Sequence, residues 1–329
     1  MIANDPRPAR PGAPAGVRMK TLIVHNSLSG FGLDAIYEFE RLLLQSGDEC
    51  TIRLIGAGVE PRDALSDAES FDLVVASGGD GTVANVLYAL RYRDVPTCVF
   101  PSGTANLLFN AIGNAFEPAA IVEACRAGAL VATDLAEMRW VDDEGREHQR
   151  GFSMMAGLGF DANIMRTAAD LKEAYGEAAY FVAATSNLEP PIVDYEITID
   201  GSTVERSGVS CIVGNNTTIT AGIQLVPESR MNDGLIECLV LENERTTQLV
   251  SPLLAGLFDP TGETLGRPFV ESFRGREIEV RASMRLPLEF DGELVSGTTD
   301  RYEVRVLEGA NLLVVDPHSP YYAWATRSR

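Results

Sequence analysis

The sequence predicts an α/β N-terminal domain built on a parallel sheet, followed by a C-terminal antiparallel β-sandwich domain. Three observations carry that expectation. A chain of 329 residues exceeds the size at which a single hydrophobic core keeps growing, so two domains are expected. From Lys20 to about residue 135, strand-like and helix-like segments alternate, the pattern of a parallel sheet covered on both faces. After about residue 136 the segments become short strands separated by turn residues, which suggests a sandwich.

In the first half the order is KTLIVHN as a strand, a helix around Ala35 to Leu44, CTIRLIG and FDLVVAS as strands, and a helix from Val83. TCVFP then forms a strand, followed by a helix from about Ala105 and another over PAAIVEACRAG. In the second half AEMRWVDD, REHQRGFSMMAG, VDYEITIDG, SGVSCIVGNN, DGLIECLVLE, REIEVRA, LPLEFDGE, YEVRVLE and NLLVVDP read as strands, with one helix from about Asn163 to Ser186 interrupting them. Glu144-Gly145 and Asp200-Gly201 read as hairpin turns. The first seventeen residues are rich in proline and alanine and lack the apolar core of a signal peptide, so residues 1–17 are expected to be a disordered leader. The α/β domain is expected over 18–135 and the sandwich over 136–308, with 309–329 as a C-terminal segment that could return to the first domain.

Composition narrows the function classes. The formal net charge is −20, and such a surface repels nucleic-acid phosphates, so nucleic-acid binding is not expected. Lys20 and Lys172 are the only lysines. Neither glycine loop described below contains one, and a Walker A loop is excluded for want of its Gly-Lys-Ser/Thr ending. Cys50, Cys98, Cys125, Cys211 and Cys238 lie far apart with no CxxC pair, as reduced thiols of a cytoplasmic protein would. His25, His148 and His318 show no metal spacing; His25, at the end of the first strand, either packs in the core or faces a ligand. No apolar stretch approaches the roughly 20 residues needed to span a bilayer.

Residues 71–85, FDLVVASGGDGTVAN, are the most informative segment. An apolar, β-branched run leads into Gly78, Gly79 and Gly81, and helical spacing resumes at Val83. Glycines there let the backbone approach a ligand closely, and their N–H groups with the positive end of the next helix form an anion site. Asp80 inside an anion site implies an accompanying cation or a proton. Residues 97–109, TCVFPSGTANLLF, repeat the pattern with Pro101-Ser102-Gly103-Thr104. Thr104 and Asn106 can cap the following helix or bond a nucleotide. Two such turns on successive strand ends point to a ligand beyond the carboxyl edge of the sheet.

Gly78-Gly79-Asp80-Gly81-Thr82, followed about twenty residues later by Pro101-x-Gly103-Thr104-x-Asn106, resembles the diacylglycerol kinase catalytic-domain superfamily, which includes sphingosine and ceramide kinases and, more remotely, NAD kinases. The likeness runs nearly the whole chain. Asn26-x-x-Ser29-Gly30 is similar to the family's opening block; Gly157 to Ala162, Leu171-Lys172 through Tyr180, Pro227 with Asp233-Gly234-Leu235, and Asp291-Gly292-Glu293 are similar to its later ones. Departures are Ser27 where proline is expected, Phe31 in place of a basic residue, Leu107 where many bacterial diacylglycerol kinases have aspartate, and Ala221-Gly222-Ile223 for a triple glycine. Sphingosine-type and ceramide-type relatives better tolerate the lost aspartate.

The resemblance implies an NAD kinase/diacylglycerol kinase-like fold, with nucleotide on the first domain and the acceptor lipid in the cleft between domains. It implies an ATP- and Mg2+-dependent lipid kinase that transfers the γ-phosphate to a hydroxyl of diacylglycerol, a sphingoid base or ceramide. The cofactor-binding set is then Asn26, Ser29, Gly30, Gly78, Gly79, Gly81, Thr82, Gly103, Thr104 and Asn106. Asp291 is the first choice for the base that takes the hydroxyl proton, with Glu293 as its electrostatic partner and Asp80 bearing on Mg2+ or its water shell; Asp80 and Asp291 could exchange roles. Asp233, with the backbone of Arg230 and Leu235, resembles the family's structural magnesium loop. Arg166 is a candidate for meeting phosphate charge, and surface pairing is its alternative. The stripe Leu171, Ala174, Tyr175, Ala178, Phe181 and Val182 reads as core or as the wall of an acyl-chain cavity. The enzyme is expected to be cytoplasmic and peripheral at the inner membrane surface; a homodimer is open. The competing readings are a soluble-substrate kinase of the NAD kinase branch and a non-catalytic lipid- or nucleotide-binding protein.

Overall fold

The computed structural model describes residues 18–29, 33–56, 59–127, 129–159, 191–219, 223–241 and 270–322. By its internal contacts the chain divides into two compact units. One ends at Leu135 and takes up the chain again from Glu308; the other is Ala136–Leu307.

The first unit begins with β1 (Lys20–Asn26), α1 (Leu33–Gln45) and β2 (Glu49–Ile55), then the short α2 (Pro61–Ala64). β3 (Leu73–Gly78), α3 (Asp80–Leu90), β4 (Pro96–Pro101), α4 (Leu107–Ile112) and α5 (Pro118–Ala127) follow. Its strands pair in parallel in the order β4-β3-β1-β2, with Ile23 opposite Val75 on one side and Ile52 on the other. β1 and β3 are buried on both faces, which is why LIV and LVVA read as continuous apolar runs rather than alternating ones. On α1, Ile36, Phe39 and Leu43 recur at helical spacing and are fully buried, and the Phe39 ring sits 5.2 Å from that of Phe100 in β4. The last part of β14 (Glu293–Val315) adds a fifth parallel strand, Leu312 and Leu313 lying opposite Pro96 and Thr97. Asn311 Nδ2 donates to the Leu87 carbonyl and Asn114 Nδ2 to that of Val314, fastening this segment to its neighbours. The consequence for function is that the carboxyl ends of β1, β3 and β4 lie side by side.

In the second unit β5 (Ala129–Val141) turns back as β6 (Glu147–Phe152), followed by β7 (Met155–Gly159). β8 (Val193–Ile199) and β9 (Ser202–Gly208) form a hairpin through Asp200-Gly201, both with positive φ as a two-residue hairpin turn requires. β10 (Ser210–Gly214), β11 (Ile236–Leu241) and β12 (Val270–Gly275) extend from β7. β13 (Glu277–Phe290) joins the two groups: Ile278 to Ala282 pair with β8, and after a register shift Leu288 to Phe290 pair with β7. The pairings among β6 to β13, and those of β5 with β6 and β13 with β14, are antiparallel among the described residues. Side chains from both groups, among them Phe152, Tyr195, Val213, Phe290 and Tyr302, fill one core. The Phe290 ring lies 5.1 Å from Trp140 and 5.8 Å from Phe152, so the strand end that leads into Asp291 is rigidly packed. The expected α/β unit with a parallel sheet and the antiparallel β unit are thus both present. The helix expected over 163–186 lies outside the described residues.

Candidate active site

In the first unit three loops meet at the strand ends. Asn26 closes β1: its Oδ1 accepts the Leu28 amide at 3.0 Å, its carbonyl accepts that of Ser29 at 3.0 Å, and its Nδ2 donates to Thr82 Oγ1 at 2.8 Å. The turn after β1 is therefore tied to the first turn of α3. Gly30 lies outside the described residues.

Gly79 is the N-cap of α3, extended at φ −77° and ψ 175°, and no side chain caps the helix. The amides of the first turn have no partners within a helix. Supplied by Asp80, Gly81 and Thr82 with the positive end of an eleven-residue helix, they form a concentrated donor group for an anion. Glycine is required sterically at two places. A Cβ on Gly78 would stand 2.5 Å from Thr82 Cγ2. One on Gly103 would overlap the Gly79 Cα and lie 3.2 Å from the Gly79 nitrogen. The two glycine loops thus touch backbone to backbone.

The second loop is held by Asn106, which adopts a left-handed conformation at φ 47°. Its Oδ1 accepts the Gly103 amide and its Nδ2 donates to the Gly103 carbonyl, both at 2.8 Å. Asn106 therefore shapes the loop, and the Gly103 amide is already engaged. Thr104 is exposed at the tip. Asp80 Oδ1 accepts the Leu108 amide at 3.0 Å, so its carboxylate caps α4 and ties the two loops together. Burial raises the Asp80 pKa, while the Leu108 and Leu107 amides pull it back. Asn26, Thr82, Gly78, Gly79, Asp80, Gly103 and Asn106 form one connected set, with Ser29 in the adjoining turn.

In the second unit Asp291 and Gly292 form the two-residue turn between β13 and β14, at φ 45° and 83°, with Phe290 opposite Glu293. Asp291 is buried, and its carboxylate is gripped by backbone amides: Oδ1 accepts from Met154 at 2.8 Å and Met155 at 3.2 Å, Oδ2 from Ser153 at 3.0 Å. The Asp291 amide donates to the Met155 carbonyl at 2.8 Å. Glu293 is exposed and pairs with Arg150 at 2.7 Å; the Arg150 guanidinium lies over the Phe290 ring. The buried Glu289 accepts the Gly292 amide at 3.0 Å, bracing the same turn. The two-residue turn thus sets the Asp291 carboxylate among the Ser153, Met154 and Met155 amides.

Asp233 sits in another turn, with Gly234 at φ 72°. Its Oδ1 accepts the Leu235 amide at 3.1 Å, and its Oδ2 lies 3.5 Å from the Arg274 guanidinium. The Arg230 side chain donates to the Pro227 and Ser229 carbonyls. Asn232 Oδ1 is buried without a hydrogen-bond partner among the described residues. Asn232 precedes Asp233 in the chain, and the Asp233 carboxylate is met by the Leu235 amide on one oxygen and by Arg274 on the other. Arg274 also pairs at 2.7 Å with Glu237, a buried carboxyl whose pKa burial raises.

The residues that sequence reasoning missed are those that hold the site. Ser153, Met154 and Met155 grip Asp291 across more than a hundred residues of chain, and Arg150 and Arg274 supply counter-charges. Arg166 and the stripe from Leu171 to Val182 lie outside the described residues.

A family profile for the diacylglycerol kinase catalytic domain matches residues 20–138, and one for the YegS C-terminal NAD kinase beta sandwich-like domain matches 154–310. The "Probable lipid kinase YegS-like" of Pseudomonas fluorescens is 30% identical over 237 residues, 70% of this chain and 74% of that protein. The crystal structure of a "putative diacylglycerol kinase" from Bacillus anthracis superposes with a TM-score of 0.68 at 21% identity, covering 92% of this chain and 98% of that one. Yeast NADH kinase complexed with NADH gives 0.52 at 13% identity, covering 98% and 93%. At these identities the two structures share the fold.

Proposed function

Since the chain belongs to the YegS-like lipid kinases of the diacylglycerol kinase family, we propose that it transfers the γ-phosphate of ATP, with Mg2+, to a hydroxyl of diacylglycerol, a sphingoid base or ceramide. The observation that carries this reading is the contact between Gly79 and Gly103 at the uncapped start of α3. Phosphoryl transfer asks the protein mainly for positioning and charge neutralisation. The loops offer main-chain donors at a helix N-terminus and contain no lysine. The cofactor-binding set is proposed as Asn26, Ser29, Gly30, Gly78, Gly79, Gly81, Thr82, Gly103, Thr104 and Asn106. Within it Asn26 and Asn106 shape the loops, and the first turn of α3 meets the phosphate.

Asp291 is proposed as the base. As the acceptor oxygen bonds to phosphorus and the bond to the ADP oxygen breaks, the hydroxyl proton passes to the Asp291 carboxylate, whose orientation is fixed by three amides. Glu293 is proposed to set the charge balance at this turn through Arg150, and Asp80 to bear on Mg2+ or its water shell. A structural Mg2+ is proposed at Asp233 with the carbonyls of Arg230 and Leu235, supported by the orphaned Asn232 oxygen; such an ion would supply positive charge that orders the turn. No described helix is long and apolar enough to cross a membrane, and the lipid is proposed to be met at the inner membrane surface.

Incubating the pure protein with Mg2+, ATP and a panel of diacylglycerol, sphingosine, ceramide and NAD, and reading products by mass, tests the proposal. A phosphorylated lipid is expected. Phosphorylated NAD alone would transfer the chain to the NAD kinase branch, and no product at all would leave a binding protein.

A further inference from the structure

Three side chains that no step above uses form a buried hydrogen-bonded chain behind the glycine loops. His25 Nδ1 lies 2.9 Å from Ser77 Oγ, and Ser77 Oγ lies 2.8 Å from Ser102 Oγ. All three residues are buried, at 2%, 0% and 1% exposure, so no bulk water competes for these bonds. They stand at three neighbouring strand ends: His25 is opposite Ser77 in the β1–β3 register, and Ser102 follows β4. Each serine directly precedes a loop glycine, Ser77 before Gly78 and Ser102 before Gly103. The chain thus spans the separation of the two turns whose backbones touch.

We propose that His25 is a positioning residue for the nucleotide: through Ser77 it sets Ser102, and with it the spacing of the Gly78-Gly79 and Gly103 turns. The inference rests on the reading of these turns as the phosphate site. Its direction follows from the other ring nitrogen. Nε2 is buried with no hydrogen-bond partner among the described residues, and a buried N–H without an acceptor is rarer than an unsatisfied acceptor. The proton therefore belongs on Nδ1, which donates to Ser77 Oγ. Ser77 donates to Ser102 Oγ, and the Ser102 hydroxyl hydrogen is left at the end of the chain next to Gly103. Burial lowers the His25 pKa, which keeps the ring neutral and this polarity fixed. A residue that merely filled space would need no such order.

The test uses the full chain, ATP binding by calorimetry without lipid, and imidazole 15N NMR. His25→Phe keeps bulk and removes the donor, His25→Asn keeps a donor near the Nδ1 position, and Ser102→Ala cuts the far end. His25→Phe and Ser102→Ala should each weaken ATP binding about tenfold, the loss of roughly one buried hydrogen bond. Ser102→Ala should add nothing in the His25→Phe background, His25→Asn should recover most of the affinity, and wild-type His25 should carry its proton on Nδ1. Unchanged affinity in His25→Phe, additive losses, or a proton on Nε2 would overturn the proposal. If His25→Phe does not fold, Ser77→Ala and Ser102→Ala decide it, and wild-type affinity in both overturns it. Wild-type protein that binds no ATP would instead remove the nucleotide reading and this inference with it, a result distinct from equal binding by wild type and variants.

Discussion

Gly103 packs so closely on Gly79 that neither a methyl group nor a water fits between their α-carbons on the side where a Gly103 Cβ would point. The same is not true in reverse, because a Cβ on Gly79 would find the Gly103 Cα at 3.7 Å, an ordinary contact. Two alanine substitutions in one site should therefore differ sharply. Gly103→Ala must push the loops apart, at a cost of about 1–3 kcal/mol typical of overpacking, and should weaken ATP binding by about 10- to 100-fold. Gly79→Ala should cost much less. Calorimetric titration of both variants checks this, and equal affinities would mean that the loop contact does not matter to the ligand.

Asp291→Asn should abolish turnover, and it should also weaken the second unit. The amide that replaces one carboxylate oxygen would point donor hydrogens at the Ser153 amide or at those of Met154 and Met155. Leaving a buried donor unsatisfied costs about 1–3 kcal/mol. Denaturant unfolding followed by a probe in the β unit should show that loss, with ATP affinity retained. Normal turnover in this variant would remove Asp291 as the base.

The glycine loops were legible in the sequence because each is a local event, a turn between two runs of periodic apolar residues, whereas Asp291 was singled out only by the family resemblance. What holds them was not visible. Asp80 finds the Leu108 amide 28 residues away and Asp291 finds Met154 at 137 residues, and such partners leave no mark at either position. Two consecutive Ser-Gly pairs, Ser77-Gly78 and Ser102-Gly103, were a usable signal for the chain to His25, since the same pair at equivalent strand ends suggests that the serines meet.

Strand boundaries fared worst where a strand bends. REIEVRA and LPLEFDGE read as two strands because Pro287 and the polar run before it look like a break. They are one strand, β13, whose register shifts between Arg281 and Leu286 let it change partner from β8 to β7. β9 escaped notice because Ser202–Gly208 is largely solvent-facing and lacks apolar alternation; only its turn, Asp200-Gly201, announced it.

Asp80→Asn separates two roles of one side chain. Asparagine keeps an oxygen that can cap α4 through the Leu108 amide, so the fold and its melting temperature should change little, within the few tenths to about 1 kcal/mol of a cap exchange. If Asp80 also bears on Mg2+, the lost charge should lower kcat about 100-fold or more, in the range of an electrostatic contribution to a transition state, and steepen the Mg2+ dependence. A variant with wild-type kcat at every Mg2+ concentration would leave Asp80 only the cap.

The pH dependence of stability should carry the signature of His25. Its pKa in the folded protein lies below the ordinary value of 6.5, through burial, and Ser77, its hydrogen-bond partner, is neutral. Between the folded and unfolded pKa values the unfolded chain binds more protons, so stability rises with pH across that window. The contribution is complete above pH 6.5 and falls as the pH drops below it, until the folded imidazole itself takes up a proton. Denaturant titrations from pH 7.5 downward should show this loss in the wild type, superimposed on the titration of the carboxylates. In His25→Asn the component beginning near pH 6.5 should vanish, because the replacement does not titrate; an identical slope in wild type and variant would show that His25 is not the buried neutral base that the chain to Ser77 and Ser102 requires.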